Sequence, residues 1–257
     1  MNVEQSTADQ GALTVCVCTY NSARTLEKCL TSVRKVAAAS RLLVVDHFSK
    51  DGSTEIAKKF DAEIFQESKG LGYARQRCFD LTRSDYVVFV DGDVEIVRRD
   101  FFVIATKALD DRRYGAVVGL AVGHKFPYGL PASLLVLRKS DFLGEVVPDY
   151  IDARETFFIQ RRLDHLSLKT RYVFDSMIHR SQFRKLKPEW EGANTRLLPG
   201  AGAWELLWAL KVIIMLSLNS RSLRNIVYIP IFYLKFLRGF AKPATWLRIN
   251  RVPGDNL

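Results

Sequence analysis

The amino-acid sequence predicts an α/β fold: a doubly wound, mostly parallel sheet, followed by a C-terminal helical extension that associates with a membrane. Three observations predict it. Four short apolar runs alternate with helix-period stretches within the first 90 residues, each run ends in polar or charged residues, and beyond residue 196 the composition turns basic and apolar. The division that follows is a polar N-terminal tail over 1–12, the α/β domain over 13–195, and a basic, apolar-rich helical region over 196–257.

Taken in order, Leu13 to Cys18 (LTVCVC) is strand-like, Leu26, Leu30 and Val33 recur at helical spacing, and Leu42 to Asp46 (LLVVD) is a second strand. SKDGST then supplies a loop with Ser53 or Thr54 as helix N-cap, Ile56, Ala57 and Phe60 mark the helix, and AEIF is a short third strand. A glycine-bearing turn at Lys69-Gly70-Leu71-Gly72 leads into a helix from Tyr73 to Leu81, and YVVFV makes the fourth strand. Later elements are a helix near Asp100 to Leu109, the strand GAVVGLAVG, a strand and turn in LPASLLVLRKSDF, and a helix from Arg154 to Leu163. The periodicity breaks between Pro188 and Pro199, which marks a boundary.

At 257 residues and 48% hydrophobic content the chain can bury one large core. Nine of its ten excess positive charges lie in the last 78 residues. Cys16, Cys18, Cys29 and Cys78 have no metal-ligand or disulfide-dense spacing, so they are expected as reduced, buried thiols. The opening MNVEQSTADQG lacks the basic flank and apolar run of a signal peptide, so a cytoplasmic location is expected.

The chemistry gathers at the strand ends. Open α/β sheets bind ligands at the carboxyl ends of their strands. There the fourth run enters Asp91-Gly92-Asp93, whose two carboxylates suit Mg²⁺ or Mn²⁺ shared with diphosphate oxygens. Read alone, an Asp-Gly-Asp is also a solvated turn. Thr19-Tyr20-Asn21 follows the first strand, Asp46 ends the second, and Lys69, Gly70 and Arg75 follow the third. A carboxylate such as Asp46 accepts N–H groups of a base or ribose hydroxyls, and an arginine near a helix start meets phosphate. Each also has a plain structural role open to it: a cap, a strand end, a wet helix face.

The succession VCVCTYNSARTLEKCLTSV, LLVVDHFSKDGSTEIAKKF and KGLGYARQRCFDLTRSDYVVFVDGDVEI resembles the family 2 inverting glycosyltransferases of the GT-A, nucleotide-diphospho-sugar transferase-like fold. The likeness is strong over 13–96 and weaker to about 180. It implies that Thr19, Tyr20, Asn21, Asp46, Lys69, Gly70, Arg75 and Asp91 hold the donor nucleotide, and that Asp93 and Asp91 bind the metal, with His179 as a further candidate ligand. Departures accompany it: His47-Phe48 replaces the usual second acid after Asp46, and Gln76 the usual Asn after the arginine. The family's base lies in a Glu-Asp pair with an Arg six residues on. Arg154-Glu155 with Arg161 stands here, which makes Glu155 the nearest match, with Asp152 and Asp149 as alternatives.

The resemblance implies direct displacement at the anomeric carbon, in which an acceptor oxygen attacks and the nucleoside diphosphate leaves. A hydroxyl acceptor needs a base; a polyprenyl phosphate, already ionised, does not. The acceptor is therefore a lipid-linked sugar, another glycan or a polyprenyl phosphate. The QxxRW signature of processive synthases is absent, so one sugar per encounter is expected.

Residues 201–242 carry the membrane expectation. Ala201 to Leu218 is apolar except for Glu205, Lys211 and Ser217. A helix of that length rises roughly 27 Å, close to a bilayer core, but mid-span charges cost about 2.5–3.5 kcal/mol each, so a full span is disfavoured. Arg221, Arg224, Tyr228, Lys235, Arg238 and Lys242 then share a helical stripe, with Ile226, Ile229, Phe232, Phe236 and Phe240 on the other sides and Pro230 as an expected kink. This suits a helix lying on an anionic membrane surface, peripheral to the inner face; packing of both helices against the catalytic domain or another copy of the chain, with the charges solvated, is the other reading. Nucleic acid is not an expected partner, since no binding signature accompanies the broad aromatic face. Two competing functions remain open: a membrane-tethered nucleotide-binding module without catalysis, and a haloacid-dehalogenase-like phosphatase using Asp91.

Overall fold

The computed structural model describes residues 13–180, 187–220, 226–243 and 246. The N-terminal tail, Arg221 and Arg224 lie outside the described residues. The first half alternates as expected: Leu13–Thr19 (β1), Ala23–Val36 (α1), Arg41–Asp46 (β2), Ser53–Lys58 (α2), Glu63–Gln66 (β3), Leu71–Leu81 (α3) and Tyr86–Asp91 (β4). Then come Val94–Ile96 (β5), Phe101–Asp110 (α4), Tyr114–Ala121 (β6), Leu134–Arg138 (β7), Thr156–His165 (α5) and Lys169–His179 (β8). Pro188–Arg196 (α6), Ala203–Asn219 (α7) and Ile229–Phe240 (α8) complete the described chain.

The eight strands among the described residues join one sheet in the order β3-β2-β1-β4-β7-β6-β8-β5. The β1, β2, β3 and β4 pairings are parallel, as the apolar runs require. Beyond β4 the sheet is mixed rather than mostly parallel: β7 lies antiparallel to β4 and β6, and β5 antiparallel to β8. Short connections explain this, because no helix separates β6 from β7 and without one the chain must reverse direction.

Side chains alternate across the strands and feed two cores. Val15, Val17, Val44, Val88 and Val90 pack under Leu26, Leu30 and Phe101 on one face. Cys16, Cys18, Leu43, Val45, Val87 and Phe89 pack with Ala74, Cys78, Phe79 and Ile159 on the other. All four cysteines are buried and free, as expected. α2 begins at Ser53 with Gly52 as its N-cap, at φ 89°, so neither Ser53 nor Thr54 takes the cap position.

The C-terminal part departs from the expected arrangement. PEWEGANTR, where the periodicity breaks, is α6, started by Pro188 in its first turn. Pro230 likewise sits in the first turn of α8, and a turn at Tyr228 separates α8 from the helical residues Ile226 and Val227 before it, which is where a break was expected. α8 crosses α6 at glycines: a Cβ on Gly192 would overlap the Phe236 carbonyl, and one on Gly239 the Glu189 carbonyl. Phe236 is buried there, while Arg238 and Lys242 reach Glu189 at 3.4 and 3.6 Å. Two of the expected membrane-facing cations thus pair with α6. The apolar residues exposed on α8 and the segment before it are Ile226, as expected, with Val227, Ile231 and Leu234, whereas Phe236 is buried and Phe232 and Phe240 are partly buried. Among the described residues no helix is long and apolar enough to cross a membrane.

Candidate active site

The carboxyl ends of β1, β2 and β4 form one rim, because their parallel register sets Thr19 beside Asp46 and Cys18 beside Asp91. Thr19 is fully buried with its hydroxyl unpartnered. Asp46 is also fully buried: one oxygen accepts the Ser49 N–H at 2.9 Å and the other the Ser49 hydroxyl. Ser49 in turn accepts the Asn21 N–H at 2.9 Å, and Asn21, at φ 46°, accepts the Lys50 N–H through Oδ1 at 2.9 Å. Asp51 locks the same turn by accepting from Ala23 N at 2.9 Å and the Ser53 hydroxyl at 2.6 Å. Those hydrogen bonds lower the Asp51 pKa although burial opposes them. The loop is therefore a hydrogen-bonded cradle in which Asp46 acts first on its own backbone.

Two departures from the family pattern find their reasons here. His47 Nδ1 meets Glu67 Oε1 at 2.6 Å, and the other Glu67 oxygen accepts the Lys69 and Gly70 N–H groups at 2.7 and 2.8 Å. A buried carboxylate thus faces His47 from just beyond β3. Tyr20 packs edge-on to His47 at 5.4 Å. Gln76 accepts the Val146 and Val147 N–H groups at 2.8 and 2.9 Å, so it fastens the loop before α5. Gly72 N donates to Ile151 O at 2.9 Å, an approach only glycine permits: a Cβ would lie 2.5 Å from that oxygen.

Arg75 is the hub. Its side chain is 3% exposed, lies over Phe89 at 4.8 Å, donates from Nη2 to Asp91 Oδ1 at 2.7 Å, and holds Nε 3.7 Å from Glu155 Oε1. Nε and Nη1 have no hydrogen-bond partner. One buried guanidinium therefore links the first carboxylate of the β4 rim to Glu155, at the N-cap of α5. Of the rival carboxylates, Asp149 is half-exposed and pairs with Lys69 at 3.0 Å, and Asp152 is partly buried in the same segment.

His179 is brought to the same rim by the long strand β8. Its pairing with Val94 of β5 sets Nδ1 3.5 Å from Asp93 Oδ1, and Arg180 N donates to Asp93 O at 2.7 Å. His124, which sequence reasoning missed, lies close enough for His179 to act on it. Burial, then the charge of His179, lowers its pKa, and its Nδ1 is buried without a partner. No local pattern marks His124; Ser49 and Asp51 stand in the quoted SKDGST loop, and Glu67 was visible only as a charge beside a strand.

A carboxylate and an imidazole are suitable ligands for a divalent ion, but among the described residues no group of three or more acid, His or Cys side chains forms a self-sufficient metal site. An ion here would complete its shell with diphosphate oxygens and water, as Mg²⁺ commonly does.

Residues 14–186 match the sequence model of glycosyl transferase family 2. The chain belongs to that family. That membership favours the transferase reading over the phosphatase one. The cholesterol galactosyltransferase of Borreliella burgdorferi is 29% identical over 106 residues, 38% of this chain and 30% of that protein. The uncharacterized glycosyltransferase YibD of Escherichia coli is 28% identical over 106 residues, 38% of this chain and 31% of that protein. The match thus spans about a third of these relatives.

Among solved structures, the mannosyltransferase PcManGT of Pyrobaculum calidifontis, bound to GDP-Man and Mn²⁺, superposes with TM-score 0.59 at 17% identity, over 93% of this chain and 79% of that one. Glucosyl-3-phosphoglycerate synthase of Mycobacterium tuberculosis, bound to Mn²⁺, UDP and glucosyl-3-phosphoglycerate, superposes with TM-score 0.54 at 18% identity, over 67% and 73%. These likenesses show the GT-A fold.

Proposed function

We propose that this family 2 enzyme transfers a sugar, with inversion and with a divalent ion, from a nucleoside-diphosphate donor to an acceptor carried by a membrane. The observation that carries the reading is Arg75: one buried cation joins Asp91, which would face the diphosphate, to Glu155, which would face the acceptor. A donor bound over the rims of β1 and β2 would place its nucleoside in the Thr19-Tyr20-Asn21, Asp46 and Lys69-Gly70 cradle. Asp93, Asp91 and His179 would hold Mg²⁺ or Mn²⁺, whose charge stabilises the departing diphosphate.

The remaining chemistry belongs to the chain. Arg75 fixes the Asp91 carboxylate and presents unpartnered N–H groups beside it. Glu155, 8% exposed, would accept the proton of an acceptor hydroxyl attacking from the face opposite the leaving group, which inverts the anomeric centre. Fixed dipoles around a largely dehydrated carboxylate need no reorganisation as charge develops.

The membrane part of the proposal is supported by apolar side chains on α7, α8 and the segment before α8. Trp204 is 81% exposed, Leu207 56%, Val227 73% and Leu234 64%, an unusual density for a soluble surface, with Lys211 and Lys235 on the same two helices. Such a surface suits an anionic bilayer, at the cytoplasmic face, where a lipid-linked sugar or polyprenyl phosphate would present its head group.

The test is release of nucleoside diphosphate from a panel of nucleotide sugars with Mn²⁺ and membrane-lipid extract as acceptor. We expect turnover that is lost with EDTA and falls at least a hundredfold in Asp93→Ala, the range for removing one transition-state electrostatic contact. Equal turnover with EDTA would rule out the metal, and equal binding of Leu234→Asp and the unmodified chain to anionic vesicles would rule out the membrane face.

A further inference from the structure

We propose that Arg154 is a positioning residue that fastens α6 and α7 to the segment bearing Glu155, making these helices a working part of the transfer site. The catalytic half of this proposal rests on the reading of Glu155 as base. Arg154 immediately precedes Glu155 and has φ 64°, a left-handed conformation that a non-glycine residue keeps only where its surroundings enforce it. The enforcing contacts are visible. Its side chain, 12% exposed, turns away from α5; Nη1 donates to Thr195 Oγ1 of α6 at 3.0 Å and Nη2 to Glu205 Oε2 of α7 at 3.0 Å.

The Trp208 ring lies 4.3 Å from the guanidinium carbon, and Thr195 is itself oriented by donating to Glu191 O at 2.8 Å. An acid, a hydroxyl and an indole from two helices thus surround one planar cation. A Lys could satisfy the charge but not this arrangement.

The connection to the base is covalent and short. The Arg154 carbonyl accepts the Phe157 N–H at 2.9 Å and the Glu155 carbonyl the Phe158 N–H at 3.3 Å, the opening hydrogen bonds of α5. Displacing the guanidinium therefore moves the turn that presents Glu155 to Arg75. The other end of α7 is tied down as well: Asn219 Oδ1 accepts the Lys125 and Phe126 N–H groups at 2.9 and 3.1 Å, next to His124. Held at both ends, α7 runs as a strut from the base-bearing segment to the loop beside His179.

The experiment uses the full chain and three variants, Glu205→Gln, Arg154→Lys and Arg154→Met. Hydrogen exchange at the Phe157 and Phe158 amides reports the anchor without any substrate, and steady-state kinetics report its consequence. We expect Glu205→Gln, which keeps shape and folding but removes the charge, to raise exchange at both amides at least tenfold. It should also lower kcat by up to about a hundredfold with donor KM within twofold, the scale of an ångström-sized misplacement. Arg154→Lys should fall between it and Arg154→Met. Unchanged exchange in all three variants overturns the proposal. So does a loss of turnover that merely follows the folded fraction. A wild-type chain that transfers no sugar while the exchange rises as expected would overturn the reading of Glu155 instead.

Discussion

Replacing Arg75 with Met tests whether the hub stabilises the fold and the site together. Met keeps the apolar stem against Phe89 but removes the charge that faces Asp91 at 2.7 Å and Glu155 at 3.7 Å. Breaking a buried pair by deleting one partner costs about 3–5 kcal/mol because the other charge is left uncompensated. Here Asp91 is 34% exposed, so water recovers part of its solvation, and the Glu155 separation exceeds a hydrogen bond. Both discount the estimate to the lower end, ~3 kcal/mol. At about 2–4 °C per kcal/mol for a chain of this size, Tm should fall by roughly 6–12 °C. The assay is a thermal melt of both proteins in the same buffer, with the double variant Arg75→Met, Glu155→Gln as control. Neutralising Glu155 removes one of the two stranded acids and should restore part of the loss. A Tm within 2 °C of wild type, or a double variant less stable than the single one, would refute the account of Arg75.

Gly239→Ala places a methyl group against the Glu189 backbone carbonyl, and α6 and α8 must separate to admit it. Overpacking of this kind costs about 1–3 kcal/mol, read as a lower Tm. The four buried thiols should all resist a water-soluble thiol reagent in the native protein and react together on unfolding. Burial, then Asp91 and Asp93, raise the Cys29 pKa, and burial does the same for Cys78, which further disfavours the reactive thiolate of these two while the protein is folded.

What could be read from the sequence follows the range of its physical signals. Val87 to Val90 and Leu42 to Val45 are uninterrupted apolar runs because both faces of those strands are covered, so the strands and the acids at their ends were legible. β8 was largely illegible because its polar and apolar residues do not alternate cleanly and Asp175, at φ 52°, interrupts it. The face of α8 was misassigned for another reason. A helical stripe shows which residues share a side but not which neighbour lies there, and Gly192, which lets α6 approach, belongs to another helix. Arg154 looked like a defect in the family's acidic pair. Its partner Glu205 stands 51 positions on, beyond any local pattern.

The central claim is that the rim of β4 holds a divalent ion against a nucleoside diphosphate. The direct measurement is a crystal grown with Mn²⁺ and a nucleoside diphosphate, with anomalous scattering collected at the manganese edge. The account predicts one strong peak about 2.1 Å from an Asp93 oxygen, with His179 and diphosphate oxygens completing its shell. A bound nucleotide with no anomalous density beside Asp93, or a peak held elsewhere on the chain, would contradict it.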